Sequence, residues 1–257
     1  MNLSGISDKS LFGKLLRLPL RLIPPQTVVP ILQGRLRGKK WIAGSSLHGF
    51  WLGTFEHDKR IVFEQIVKEN SVVFDVGAHV GYYTLLASAL VGPGGRVFAF
   101  EPLPANLVYL KEHLRLNNVE NVTVIEAAVS NRCGAALFED SAGSAMGRLS
   151  PTGKLQVETV TLDELTARGE LPPPDCIKID IEGGEAAALS GAASTLAQYH
   201  PVIFLATHGE SIHHGCCRLL RSLGYELQPL DGKDLESSDE LLAAHHASRA
   251  QIVGQIT

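Results

Sequence analysis

Residues 71–82 read Ser71-Val72-Val73-Phe74-Asp75-Val76-Gly77-Ala78-His79-Val80-Gly81-Tyr82. The apolar run around Phe74 predicts a strand that is buried on both faces, as in parallel sheets, and the small residues after it predict a turn into a helix. Gly77 and Gly81 allow such a turn, and they allow a ligand to approach the N–H groups at a helix N-terminus. The stretch therefore predicts an α/β fold with a nucleotide-like or nucleoside-like ligand at this turn.

The acid at position 75 distinguishes between two ligand classes. A dinucleotide fingerprint requires glycine there, and a carboxylate would repel the pyrophosphate. S-Adenosylmethionine carries a sulfonium, an amino group and ribose hydroxyls but no phosphate. Twenty residues after Gly81, the apolar strand 96–100 ends in Glu101-Pro102, where a carboxylate can accept hydrogen bonds from both ribose hydroxyls. The two acids together favour S-adenosylmethionine as cofactor, whereas a structural interpretation makes Asp75 a helix cap and Glu101 a solvated strand end.

Composition is ordinary for a soluble protein, with 45% hydrophobic and 19% charged residues in a chain of 257. No run of 18 apolar residues predicts a membrane-spanning helix, and arginines and prolines interrupt the apolar runs of the first 30 residues, which disfavours a signal peptide. The four cysteines form no C-x-x-C pair, which indicates a reducing, cytoplasmic setting.

Charge is unevenly distributed along the chain. Residues 1–40 carry eight basic residues and one acid, whereas the remainder carries 15 basic and 26 acidic residues. The sequence thus predicts a basic N-terminal extension, residues 1–65, which caps the site, and a cofactor-binding domain, residues 66–257. Leucines near helical spacing predict a short amphipathic helix over 11–18. Either the arm folds back onto the acidic domain, or residues 9–40 associate weakly with a membrane surface or acidic partner. The acidic body disfavours nucleic acid.

Two loops rich in small residues are candidates for contact with a substrate. Residues 44–56 combine glycines with aromatic residues before a predicted helix over 58–68, and Glu56 is the candidate polar contact there, with ordinary loop packing as the alternative. Residues 141–147, which include Ser144, separate two predicted strands, 135–138 and 155–160. This loop either closes over a substrate or forms a loop tip.

The third predicted strand, 122–125, is followed by Glu126, Ala127 and Ala128. In an open α/β sheet, ligands bind just beyond the carboxyl ends of the strands, so these residues are candidates to border an adenine. The alternative is a plain strand terminus.

A second informative stretch is Asp175-Cys176-Ile177-Lys178-Ile179-Asp180-Ile181-Glu182-Gly183-Gly184-Glu185. An apolar strand delivers Asp180 and Glu182 to its carboxyl end, and two glycines turn the chain into a helix. If this is the fourth parallel strand, it faces the same crevice as the first, and Asp180 lies beside the transferred methyl group.

Three motifs in order resemble the FkbM family of S-adenosylmethionine-dependent methyltransferases: residues 75–81, Glu101-Pro102 and residues 178–183. Residues 53–56 and Gly191 fit as well, and the resemblance covers about residues 38–230. It implies a class I methyltransferase fold, a doubly wound seven-stranded sheet in the order 3-2-1-4-5-7-6, and O-methylation of a sugar or another hydroxylated small molecule. His79 stands where the family usually has Asn. The fifth strand ends in Ala206-Thr207-His208 where many members carry a Glu two residues before the His.

The candidate catalytic residues are Asp180, His208 and Glu182. A base that takes the acceptor's proton contributes typically about 10²- to 10⁴-fold to the rate. Asp180 has the better expected position, His208 titrates near neutral pH without perturbation, and Glu182 is expected to support them. A strand-end histidine without catalytic function is the alternative for His208.

His213, Cys216 and Cys217 have the spacing of one helix face, but the expected chemistry needs no metal, and helix packing accounts for the cysteines. We therefore predict no metal. Toward the C-terminus we predict a loose helix over 237–246 and an edge strand over 251–253. Two other functional classes remain as alternatives: a non-catalytic member that binds the cofactor or another enzyme as a scaffold, and an NAD-dependent reductase.

Overall fold

The computed structural model describes residues 19–140, 147–150 and 152–247. A 3-10 helix, Pro19–Leu22, precedes the first strand. In chain order the elements are β1 (Val28–Pro30), β2 (Lys40–Ile42), α1 (Gly49–Leu52), α2 (His57–Ile66), β3 (Val72–Val76), α3 (Tyr82–Val91), β4 (Arg96–Phe100), α4 (Pro104–Leu116), β5 (Val122–Ile125), β6 (Ala128–Val129), β7 (Gly134–Asp140), β8 (Gly147–Leu149), β9 (Leu155–Val160), α5 (Leu162–Ala167), β10 (Cys176–Ile179), α6 (Glu185–Ser190), α7 (Ala193–Tyr199), β11 (Val202–Ala206), α8 (Glu210–Ser222), β12 (Tyr225–Pro229) and β13 (Glu240–His245).

Seven strands form the central sheet in the order β12-β13-β11-β10-β3-β4-β5. The four pairs from β11 to β5 are parallel, whereas β13 runs antiparallel to both β11 and β12. If only these strands are counted along the chain, the order from β5 to β12 is 3-2-1-4-5-7-6. The expected doubly wound class I methyltransferase topology is therefore confirmed.

Two hydrophobic cores cover the two faces of this sheet. Successive residues of β3 alternate between them, because side chains of a strand point to opposite faces in turn: Val73 packs in one core and Phe74 in the other. The first core contains residues of α2, α3 and α4, and the second contains residues of α5 to α8. Helices on both faces explain why the parallel strands are mostly apolar, with Asp75 of β3 and Lys178 of β10 as buried exceptions.

A smaller sheet has the strand order β6-β9-β7-β8. The strand pair predicted over 135–138 and 155–160 is confirmed, with Ala136 opposite Val157 in an antiparallel ladder. Thr161 caps α5 by accepting a hydrogen bond from the N–H of Glu164 at 3.1 Å. Asp163 accepts hydrogen bonds from the N–H groups of Ser194 and Thr195, at the start of α7.

The helix predicted over 237–246 is wrong. This segment contains β13, which lies between β11 and β12, and Leu241 and Ala243 are fully buried there. Leucine and alanine favour helix in isolation, but hydrogen bonds to two neighbouring strands and burial of the apolar side chains outweigh that preference.

Several expectations lie outside the described residues: the amphipathic helix over 11–18, Ser144 with its loop, and the edge strand over 251–253. Among the described helices, none has the length and hydropathy needed to cross a bilayer.

Candidate active site

A cavity of about 350 Å³ opens at the carboxyl ends of the parallel strands. This volume lies in the range of small-molecule sites, about 300–1,000 Å³. The residues that line it are Ser46, Leu47, Phe50, Phe55, Glu56, Gly77, Ala78, His79, Tyr82, Tyr83, Phe100, Glu101, Pro102, Leu103, Asn106, Ala127, Ala128, Val129, Phe138, Gly147, Leu149, Lys178, Asp180, Ile181, Glu182, Gly184, Ala206, His208 and Glu240. The cavity therefore lies where an open α/β sheet binds ligands.

The turn after β3 depends on two glycines with positive φ, Gly77 at 80° and Gly81 at 96°. A Cβ on Gly77 would lie 2.0 Å from the carbonyl oxygen of Asp180, and a Cβ on Gly81 would lie 2.6 Å from Cδ1 of Leu110. These glycines thus allow two strand ends and two helices to meet closely. The sequence also predicts that a ligand approaches these glycines, and Gly77 lines the cavity.

Glu101 is held rigidly at the end of β4. One carboxylate oxygen accepts hydrogen bonds from the N–H of Leu103 at 2.9 Å and from Nδ2 of Asn106 at 3.2 Å, and the other accepts one from the N–H of His79 at 2.8 Å. Burial raises the pKa of Glu101, and these hydrogen bonds oppose that shift. Its carboxylate is therefore fixed on the cavity wall.

Asp75 lies beneath the cavity and does not line it. Its side chain is 1% exposed and accepts a hydrogen bond from the hydroxyl of Thr84 at 2.6 Å. Nζ of Lys178 lies 3.4 Å from its other oxygen and donates a hydrogen bond to the carbonyl of Gly77 at 2.8 Å. Asp75 and Lys178 thus brace the turn under the cavity floor.

The other candidates for cofactor and substrate contact divide into two groups. Ala78, His79, Tyr82, Pro102, Ala127, Ala128 and Glu56 line the cavity with Gly77 and Glu101. Gly81 and Glu126 do not line it. The exposed carboxylate of Glu126 pairs with Lys111 at 2.6 Å.

The three candidate catalytic side chains converge at one end of the cavity. Nε2 of His208 lies 3.8 Å from Oδ1 of Asp180 and 3.5 Å from Oε2 of Glu182. The opposite ring nitrogen of His208, Nδ1, lies 2.7 Å from Oε1 of Glu185, which is fully buried. The carboxyl ends of β10 and β11 therefore bring these side chains together.

Ionisation separates the two candidates for the base. The hydrogen bond to Glu185 raises the pKa of His208 to about 9, against the opposing effect of burial. Burial by itself raises the pKa of Asp180, but the nearby cations Lys178 and Lys59 outweigh it and hold that pKa below its usual value. In the ligand-free protein at neutral pH, His208 is therefore protonated and Asp180 is a carboxylate.

The sequence pattern did not indicate several residues in the cavity wall and directly behind it. Lys59 pairs with Glu56 at 3.1 Å and with Glu240 at 2.8 Å, and the hydroxyl of Tyr83 donates a hydrogen bond to Glu56 at 2.8 Å. Lys178 also lines the cavity. Its neighbours in the sequence do indicate a buried charge, because a charged residue inside an apolar strand requires a buried partner.

The seven-stranded order, with a cavity at the carboxyl strand ends and an acid after β4, defines a class I methyltransferase fold. A crystal structure of methyltransferase FkbM from Methylobacillus flagellatus KT shares this fold, with a TM-score of 0.51 and 21% identity. The similarity covers 68% of this chain and 43% of that one.

The chain belongs to the FkbM methyltransferase family, because the family's methyltransferase FkbM domain matches residues 75–227. It is 32% identical over 146 residues to the hexuronic acid methyltransferase AglP of Haloferax volcanii, a match that covers 56% of this chain and 59% of the relative. A stretch of 75 residues is 39% identical to a tRNA(Phe) (4-demethylwyosine(37)-C(7)) aminocarboxypropyltransferase of Methanocaldococcus jannaschii, 29% of each chain. The chain thus spans less than two thirds of these curated relatives.

Proposed function

We propose that this protein is an S-adenosylmethionine-dependent O-methyltransferase that acts on a hydroxyl of a sugar or another small hydroxylated molecule. The observation that carries the proposal is the pair of carboxylates in one cavity: Glu101 is fixed after β4, and Asp180 is ionised after β10.

The polar groups of the cavity fit this cofactor. We propose that Glu101 accepts hydrogen bonds from the ribose hydroxyls, and that Ala127 and Ala128 border the adenine. Nε2 of His79, on the cavity wall, is buried and has no hydrogen-bond partner among the described residues, so it is available to a polar ligand atom. Burial lowers the pKa of His79 to about 4, so this ring is neutral at physiological pH. Carboxylates on the walls would repel a diphosphate, which argues against a nicotinamide dinucleotide.

When bound, the cofactor supplies an electrophilic methyl group on a sulfonium, and the C–S electron pair remains on sulfur as the acceptor oxygen forms its bond to carbon. Asp180 orients the acceptor hydroxyl and takes its proton. Positioning of this kind is worth about 7–11 kcal/mol in well-oriented systems. His208 is protonated in the ligand-free protein, so Asp180 is the better candidate for this step.

The end of the cavity around Asp180 suits a polyhydroxylated acceptor. Glu56, Glu182 and Glu240 present acceptor oxygens, and Phe50 and Phe55 present apolar faces. Sugar hydroxyls donate to carboxylates, and the C–H faces of a sugar ring pack on aromatic rings. The hexuronic acid methyltransferase of Haloferax volcanii supports a sugar as acceptor.

Calorimetry and a methyl-transfer assay test this function. We expect S-adenosylmethionine and S-adenosylhomocysteine to bind with one site per chain, and a panel of sugars and polyols with radiolabelled methyl donor to reveal the acceptor. Asp180→Asn should lower turnover about 10²- to 10⁴-fold with cofactor affinity nearly unchanged. No binding of either cofactor form would refute the proposed function, and full turnover in the variant would refute the role of Asp180.

A further inference from the structure

Asp180, Glu182 and His208 have the separations of metal ligands. One ligand atom from each lies within 4.8 Å of the other two. Two atoms that bind one ion at about 2.1 Å with angles of 90–120° are about 3.0–3.6 Å apart. The distances from Nε2 of His208, 3.5 Å to Glu182 and 3.8 Å to Asp180, lie at or just beyond that range and exceed a normal N–H···O hydrogen bond.

His208 is oriented as a metal-binding histidine is. Nδ1 donates its hydrogen to the buried carboxylate of Glu185, at 2.7 Å, so a cation that binds on the side of the two acids displaces the proton on Nε2 and takes the lone pair of that nitrogen. A carboxylate behind the ring is the usual means of fixing the tautomer and orientation of a ligating histidine. Glu185 is anchored in turn by the N–H group of Gly183 at 3.0 Å.

The charges around the cavity also favour a cation. Among the described residues, the cavity lining contains the carboxylates of Glu56, Glu101, Asp180, Glu182 and Glu240 and one lysine, Lys178. Lys59, which is buried and does not line the cavity, pairs with Glu56 and Glu240. In the described ion pairs, Asp180 and Glu182 face only Lys178, 3.9 Å from Asp180, and His208. Oε2 of Glu185 is buried and has no hydrogen-bond partner in the described parts of the chain, so its charge is only partly compensated.

We propose that Asp180, Glu182 and His208 bind one divalent cation at the acceptor end of the cavity. One imidazole nitrogen with two carboxylates suits ions such as Mn²⁺ or Zn²⁺ better than Ca²⁺, which takes oxygen ligands. Three protein ligands leave coordination positions open. The hydroxyl oxygen of the acceptor occupies one of them, the cation lowers the pKa of that hydroxyl, and its proton passes to the oxygen of Asp180 that does not bind the cation. The role of the cation, though not its binding, rests on the proposed function.

Mn²⁺ binding to the full chain, freed of metal by a chelator, tests the site directly. Titration followed by electron paramagnetic resonance should show one saturable site per chain, and the spin-echo spectrum should show coupling to one directly bound ¹⁴N. Glu182→Gln and His208→Gln should each raise the dissociation constant at least about 10-fold, and the second should remove the ¹⁴N coupling. The matched control is His214→Gln, because His214 is a surface histidine that pairs with Glu236 at 3.1 Å. This control variant should bind Mn²⁺ with the affinity of the unchanged protein.

Different results would contradict the proposed cation site and the proposed methyltransferase function. Absence of saturable binding, absence of ¹⁴N coupling in the unchanged protein, or an Mn²⁺ affinity in both site variants equal to that of the unchanged protein would overturn the site. Titration of S-adenosylhomocysteine into the chelated protein tests the proposed function alone. A methylation rate that is the same with and without chelator would overturn the cation's role at the acceptor.

Discussion

Gly77 lies where the end of β3 meets the end of β10, and no larger residue fits there. In Gly77→Ala the new Cβ would lie 2.0 Å from the carbonyl oxygen of Asp180, so Asp180 has to move. The backbone φ of 80° adds strain for any residue with a Cβ. We expect a loss of more than about 3 kcal/mol in the free energy of unfolding, measured by urea denaturation, and a loss of methyl transfer.

Gly169→Ala is the matched control for that substitution. Gly169 has φ of 72°, but a Cβ added there would have none of the described atoms outside its own chain neighbours within 4 Å, so the backbone strain acts alone. We expect a loss of about 1 kcal/mol for this variant. Equal losses in the two variants would contradict the proposed clash with Asp180.

Lys178 stabilises the buried carboxylate of Asp75 from the neighbouring strand. Lys178→Met leaves Asp75 buried without its cation and should cost about 3–5 kcal/mol in the free energy of unfolding. Asp75→Asn in the same chain removes the uncompensated charge and should restore at least about 1 kcal/mol of that loss. Denaturation of the single and double variants measures the coupling, and strictly additive losses would show that the two side chains are independent.

At the scale of single residues, the sequence predicted some of the site and missed the rest for a physical reason. Glu101 and Asp180 follow apolar strands, and that local pattern was enough to locate them. Lys59 pairs with Glu240, and Lys178 with Asp75, from segments far apart in the chain, and these contacts exist only once the strand order has formed. A local pattern marks Lys178 as a buried charge but does not identify its partner, and no local pattern marks Lys59 or Glu240.

At the scale of elements, the position of a strand in the sheet explains why two acids that each follow a strand have different surroundings. Glu101 and Glu126 both follow a strand of the central sheet, yet Glu101 is 4% exposed on the cavity wall and Glu126 faces solvent. The difference arises because the chain after β4 turns into α4, where the N–H of the N-cap residue Leu103 and the side chain of Asn106 donate to Glu101, whereas β5 is the edge strand. Strand ends were predictable from sequence, but the direction of a side chain beyond a strand was not.

These two glutamates form a matched pair for cofactor affinity. Glu101→Gln replaces one acceptor oxygen by a donor, and we expect S-adenosylhomocysteine to bind about 10- to 100-fold more weakly because hydrogen bonds to a charged group are lost. Glu126→Gln should change the affinity less than about twofold. Calorimetry measures both, and an unchanged affinity in Glu101→Gln would remove this residue from the proposed ribose contact.

At the scale of the whole molecule, the N-terminal segment packs against the sheet domain. The backbone N–H of Ile42 donates to Nε2 of His113 at 3.0 Å, and Trp41 stacks on that ring with a centroid distance of 3.7 Å. Lys40 exchanges two hydrogen bonds with Asn117, each of 2.8 Å. We therefore propose that the segment from β1 to α2 unfolds together with the methyltransferase domain and forms one wall of the cavity.

His113 makes that packing dependent on pH. Its Nδ1 donates to the carbonyl of Val80 at 2.7 Å while Nε2 accepts from Ile42, so the neutral ring satisfies both contacts. Burial lowers the pKa of His113 to about 4, although the hydrogen bond to Val80 opposes this shift. The unfolded chain binds this proton near pH 6.5, so the stabilisation is complete above that pH and is lost as the pH falls toward 4.

Comparison with His113→Gln isolates this contribution, because glutamine has a donor and an acceptor but does not titrate. Between pH 7 and pH 5, the free energy of unfolding of the unchanged protein should fall by about 1–2 kcal/mol more than that of the variant. The buried His79 titrates in both proteins, so its effect cancels in the difference. Urea denaturation at the two pH values gives both free energies. The same pH dependence in both proteins would mean that protonation of His113 does not break the contact between β2 and α4.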